Sequence, residues 1–158
     1  MVGVKTSMKR RMSSLDEGFG EDGQAILEFA VTLPILLLMV TGILTFGLAL
    51  NNYVMLNNAT DTGARALAIS RGQSNDPCAT TVAAIYNAAP ILKQASYSFA
   101  FAINGTRYTG ASCTGATANM VQGGQAQVTV SYPCSLAVFG VNYAPGCSLQ
   151  AQTTELIQ

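Results

Sequence analysis

The chain has 158 residues, of which 10% are charged, with 8 Lys+Arg balanced by 8 Asp+Glu. No basic patch is available to neutralise phosphates, which argues against nucleic acid as a partner. Histidine and tryptophan are missing altogether, so the commonest general base and metal ligand is not there to use.

Residues 1–23 read as a hydrophilic leader. Lys5, Lys9, Arg10 and Arg11 come first, Asp16, Glu17, Glu21 and Asp22 follow, and Gly18, Gly20 and Gly23 punctuate them. Nothing in this stretch can bury a core, so disorder is expected. After Glu28 no charged residue appears until Asp61, and residues 29–50 are almost wholly apolar. That satisfies the roughly 20 apolar residues of a transmembrane helix and exceeds the about 7–15 of a secretory h-region. The small residues Gly47 and Ala49 match a signal-peptidase spacing, but the helix is too long for that reading. The basic cluster precedes the apolar run, and the next cation is Arg65. The positive-inside rule therefore puts the N-terminus in the cytoplasm and the distal domain outside.

The pattern predicts one helix over 24–72. Asp22 is the expected cap, and Glu28 falls in the first turns, where the macrodipole favours an acid. Pro34 deprives the Ala30 carbonyl of its partner, so a kink or local melting is expected, with hydroxyls such as Thr32 able to re-satisfy the backbone. Thr41, Thr45 and Ala49 form a strip of small side chains, and Gly42 and Gly47 add points of close approach for helix packing. Past Leu50 the helix should continue into water. Asn51, Asn52, Asn57, Asn58, Thr60 and Asp61 supply its polar face. Tyr53, Leu56, Ala59, Gly63, Leu67 and Ser70 supply the packing face. Asp61 is spaced to pair with Arg65, and Arg71-Gly72 reads as the stop. A helix over 24–71 would be roughly 70 Å long, about twice the span of a bilayer core. Its outer half must therefore find cover in the distal domain.

Residues 73–158 form that domain, an extracytoplasmic α+β module. Asp76-Pro77 is a cap followed by a first-turn proline, so a short helix is expected over 77–87. Residues 96–103 alternate, with Tyr97, Phe99, Phe101 and Ile103 on one face. Asn104-Gly105 is a strong hairpin signal, with 106–109 as the returning strand. Residues 110–124 read as a loop, 125–132 as a strand with Ala126, Val128, Val130 and Tyr132 inward, and 149–157 as a last strand. The fold class is thus α+β, a long helix whose outer half packs on a small antiparallel sheet.

Cys78, Cys113, Cys134 and Cys147 all lie beyond the anchor. An even count on the far side of a membrane favours two disulfides in an oxidising compartment, with three connectivities open. Sequential pairing, Cys78–Cys113 and Cys134–Cys147, closes the shorter loops; the smaller loop alone would contribute about 3 kcal/mol on a chain-entropy basis. No G-x-S-x-G, phosphate loop or metal-ligand set occurs. No enzyme activity, cofactor or metal is therefore expected.

Gly23, Glu28 close behind it and the apolar run together resemble the processing site of type IV prepilins. More narrowly, Gly-Gln-Ala-Ile-Leu-Glu-Phe-Ala-Val-Thr-Leu-Pro and the downstream Asn-Ala-Thr-Asp-Thr-Gly-Ala-Arg-Ala-Leu-Ala resemble the TadE-like family of tight-adherence (Tad/Flp) pilus proteins. The resemblance covers about 23–72. It implies a pilin or minor pseudopilin of type IV pilin-like fold, cut by a prepilin peptidase between Gly23 and Gln24. Glu28, Phe29 and Pro34 would serve assembly. The implied partners are the lipid bilayer, an inner-membrane assembly platform and other pilin subunits in a filament used for adhesion. The alternative from the residues is a single-pass, membrane-anchored binding module that does not polymerise.

Overall fold

A computed structural model describes residues 19–138 and 140–158. The basic cluster Lys5 to Arg11, and the disorder expected there, lie outside the described residues. The elements are α1 (Phe19–Ile69), α2 (Pro77–Ala88), β1 (Ser98–Ile103), β2 (Thr106–Thr109), β3 (Gln125–Pro133), β4 (Ala137–Val138), β5 (Val141–Asn142) and β6 (Ser148–Leu156). Short 3-10 turns cover Gln94–Ser96 and Ala116–Asn119. The chain divides into two compact units, 1–43 and 44–158.

Helix α1 begins at Phe19 rather than near Gln24, so Asp22 lies inside it and is not its cap. The helix continues through Pro34 without a break, which corrects the expected local melting. The Thr32 hydroxyl bonds the carbonyls of Glu28 and Phe29 at 3.0 and 3.3 Å. Its reach is back one turn, to the oxygens of the two residues preceding Ala30. At the other end Ile69 is the last helical residue. Ser70 bonds back to the Leu67 carbonyl through both its N–H and its hydroxyl, and Gly72 turns the chain at φ 72°. A left-handed residue just past the last turn stops a helix and is cheapest at glycine.

In the unit 44–158 a four-stranded antiparallel sheet in the order β2-β1-β3-β6 lies over the second stretch of α1 and over α2. Register follows alternation. Phe99, Phe101 and Ile103 of β1 stand beside Val130, Val128 and Ala126 of β3, and Ala151 of β6 stands beside Val130. These residues are buried together with Leu56, Ala59, Ala64 and Leu67 of α1 and Val82 and Ile85 of α2. The opposite face carries Gln127, Thr129, Gln150 and Gln152 and stays wet, the usual division for an antiparallel sheet with one covered side. Asn104 at φ 47° and Gly105 at φ 84° make the β1–β2 turn. Positive φ at both central residues matches the right-handed strand twist.

Three local expectations are corrected by packing. Thr60, expected on the wet face, is fully buried, its hydroxyl satisfied by the Leu56 carbonyl at 2.7 Å. Tyr53, expected on the packing face, is exposed. The Asp61 carboxylate accepts a hydrogen bond from the Thr153 hydroxyl at 2.6 Å instead of pairing with Arg65. The two-stranded ribbon β4–β5 had no counterpart in the sequence reading.

Both disulfides join as sequential pairs, Cys78–Cys113 and Cys134–Cys147, with Cα–Cα distances of 5.4 and 5.1 Å. The second closes a ring around β4 and β5.

Two points of packing generate predictions. Gly63 sits where α1 meets α2: a Cβ there would lie 2.5 and 2.8 Å from Ile85 Cγ1 and Cδ1. The Gly63→Ala variant should lose about 1–3 kcal/mol through overpacking, read as a lower Tm of the full chain in detergent micelles. Beside this core, Tyr97 stacks on Phe99, and Tyr86 and Tyr132 meet Tyr97 edge-on. The Tyr97 hydroxyl is buried and has no hydrogen-bond partner. Burial, then the neighbouring Tyr132 and Tyr86, push its ionisation up to about 12. Removing an unsatisfied buried hydroxyl relieves a desolvation cost. Tyr97→Phe should therefore leave the Tm unchanged or raise it, by up to about 1 kcal/mol in stability; a clear drop in the same melt counts against this account.

Candidate functional site

The candidate site is the first stretch of α1. Gly23, Gln24, Glu28, Phe29 and Pro34 all lie on exposed helix surface. The Gly23–Gln24 peptide bond is inside α1. From Ile26 to Leu50 the large apolar side chains are exposed, and the helix carries a window of mean hydropathy 2.4 with none of it buried. By length and composition this helix can cross a membrane. Each large apolar side chain left in water forgoes about 1.5–3 kcal/mol relative to burial. A continuous surface of this kind marks contact with lipid or protein.

The small residues lie along the same helix. Thr41, Gly42, Thr45 and Ala49 are half-buried among their own neighbours, and Gly47 is exposed. The Thr41 hydroxyl bonds the Leu37 carbonyl at 2.7 Å and the Leu38 carbonyl at 3.1 Å, so its polarity is satisfied within the helix and does not oppose burial in an apolar medium. A Cβ built at Gly42 or Gly47 meets nothing within 4 Å. Another helix has room to approach the backbone there. Glu28 is the one Asp, Glu, Lys or Arg between Gly23 and Asp61.

Asp76, Cys78 and Cys113 form a second cluster, in the unit 44–158. Asp76 caps α2, its Oδ1 accepting from the Ala79 N–H at 3.1 Å and from the Cys113 N–H at 3.0 Å. Its Oδ2 accepts from the Ser112 hydroxyl. Desolvation works to raise the Asp76 carboxyl. The hydrogen bonds from Ser112, Cys113, Ala79 and Cys78 outweigh it and hold the carboxyl below its ordinary value. Asp76, Cys78 and Cys113 bring their potential ligand atoms within 4.8 Å of one another. Both sulfurs are committed to the disulfide and are not thiolates, so this is no metal set. Sequence reading found Asp76 as a helix cap and missed its hold on the Cys113 loop, because Ser112 and Cys113 are distant in the chain.

Comparison with known proteins returned no curated relative and no solved structure. A family model described as TadE-like protein matches residues 23–65, the stretch that holds the apolar surface, Glu28 and the small-residue strip. Across residues 23–65 this chain is similar to the TadE-like family.

Proposed function

We propose that the chain is a structural pilin or minor pseudopilin of a bacterial Tad/type IV-like pilus. The observation that carries this reading is an exposed apolar helical surface coinciding with the TadE-like match over 23–65. Such a surface is stable in a bilayer and equally stable when covered by other helices of its kind. The subunit waits in the inner membrane, with its N-terminus cytoplasmic and the domain of residues 73–158 outside, as the charge asymmetry favours. A prepilin peptidase cuts between Gly23 and Gln24. The assembly platform then moves α1 from lipid into a filament of pilin subunits, where Thr41, Gly42, Thr45, Gly47 and Ala49 permit close helix contacts. Phe29 and Pro34 belong to the same contact surface. Adhesion is then a property of the filament that displays the distal unit.

Glu28 acts in this scheme through charge. A carboxylate within apolar surroundings costs about 2.5–3.5 kcal/mol even on lenient insertion scales. Cleavage creates an α-amine on Gln24, a partner for Glu28 of a neighbouring helix. The pair offsets that cost only when two subunits sit at the right axial offset, so it sets register.

Two measurements test this reading. The intact mass of native protein from cells carrying the export machinery should lack residues 1–23. Full-length protein that stays monomeric supports the membrane-anchored binding module instead. Glu28→Gln should be processed and folded like the parent chain, yet enter filaments on the order of tenfold less, the equivalent of about 1.4 kcal/mol per contact. Normal incorporation of that variant into sheared filaments removes the register role.

A further inference from the structure

We propose that Asp76 templates the Cys78–Cys113 disulfide, holding the Cys113 loop on the first turn of α2 so that the two sulfurs meet before they are joined. Four contacts converge on this place. The Cys113 N–H and the Ser112 hydroxyl both donate to the Asp76 carboxylate. The same carboxylate caps α2 through Ala79, which fixes the helix turn that carries Cys78. The Cys78 N–H in turn donates to Cys113 Sγ at 3.1 Å. Asp76 is itself oriented, its own N–H donating to the Ser74 hydroxyl oxygen at 3.1 Å. The carboxylate thus grips both chain segments that bear the cysteines.

The need for such a grip follows from loop length. Cys78 and Cys113 are 35 positions apart, whereas Cys134 and Cys147 are 13 apart. A flexible chain brings the first pair together about fourfold less often, from the three-halves power of loop length. Cys113 also lies in a segment rich in Gly, Thr and Ala between β2 and β3, whose own apolar anchors, Ala116 and Met120, follow it in the chain. Side chains that hold two reacting groups in place raise their effective concentration, and Asp76 is positioned to do this.

The chemistry is ordinary thiol–disulfide exchange with a disulfide oxidant, for which oxidised glutathione serves as the probe. One cysteine forms a mixed disulfide with glutathione. The thiolate of the other attacks that protein sulfur, the Cys78–Cys113 bond forms, and the protein–glutathione bond breaks. The sum is two protein thiols and one oxidised glutathione giving one protein disulfide and two reduced glutathiones, whose sulfurs carry the two protons. The Cys78 N–H at the start of α2 favours negative charge on Cys113 Sγ, as helix N-termini do for thiolates.

This proposal is independent of filament assembly. The test starts from reduced, denatured full-length chain diluted into detergent micelles with a glutathione redox buffer. Samples are alkylated at intervals, and both disulfides are followed in the same digest by peptide mass. In Asp76→Ala the Cys78–Cys113 bond should form about tenfold more slowly relative to Cys134–Cys147 than in the parent chain. Asp76→Asn keeps one oxygen for the Ala79 and Cys113 N–H groups but loses the charge and the acceptor for Ser112, so it should slow the same bond by about three- to fivefold. The Cys134–Cys147 bond is the internal reference, unmoved by a templating role and slowed alongside if the variant merely folds badly. A rate ratio within twofold of the parent in either variant overturns the proposal.

Discussion

An apolar helical surface exposed from Ile26 to Leu50 is the constraint on which everything else depends. Backbone polarity is no obstacle to burying it, because a helix satisfies its own N–H and C=O groups. Thr32 and Thr41 hide their hydroxyls against carbonyls of the preceding turn. What remains is a surface that water disfavours and that lipid or other helices accept on similar terms. The free-energy difference between lipid and helix-packed surroundings is therefore small for such a surface. Two features of this surface are not simply greasy: the small-residue strip, whose short side chains leave room for close approach, and Glu28, the one acid among residues 24–60.

The second stretch of α1 solves a different problem with the same backbone. Leu56, Ala59, Ala64 and Leu67 are buried against the sheet, while Asn51, Asn58 and Asp61 stay in water. The small residues on this stretch are used inside the subunit. Gly63 lets α1 approach α2 so closely that Ile85 occupies the volume a side chain would fill. Small residues thus appear twice on one helix, packed against Ile85 at Gly63 and with space around the Cβ position at Gly47.

The distal unit is stabilised with little charge. No ionisable Asp, Glu, Lys or Arg occurs between Arg107 and Glu155, and the polar work is done by hydroxyls, amides and two disulfides. Asp61 accepts from the Thr153 hydroxyl, and Asp76 does more. One carboxylate caps a helix, ties a loop and stands beside a disulfide, and these donors together keep it ionised at lower pH than usual.

The sequence by itself determined whatever local periodicity and local chemistry decide. The apolar run specified a spanning helix, Asp76-Pro77 started α2, Asn104-Gly105 turned the hairpin, and the alternation in β1 and β3 chose which side chains face inward. Each depends on neighbours a few residues away, so each is legible in a linear reading. Tertiary structure decided the rest, because the partners come from far along the chain. Thr60 is buried although it sits among asparagines, since the sheet covers that side of α1. Asp61 answers Thr153 rather than the nearby Arg65, because β6 is brought alongside it. The helix starts at Phe19 and passes Pro34, where propensity alone suggested a later start and a break. Asp76 reads locally as a cap, and only the fold delivers Ser112 and Cys113 to its carboxylate.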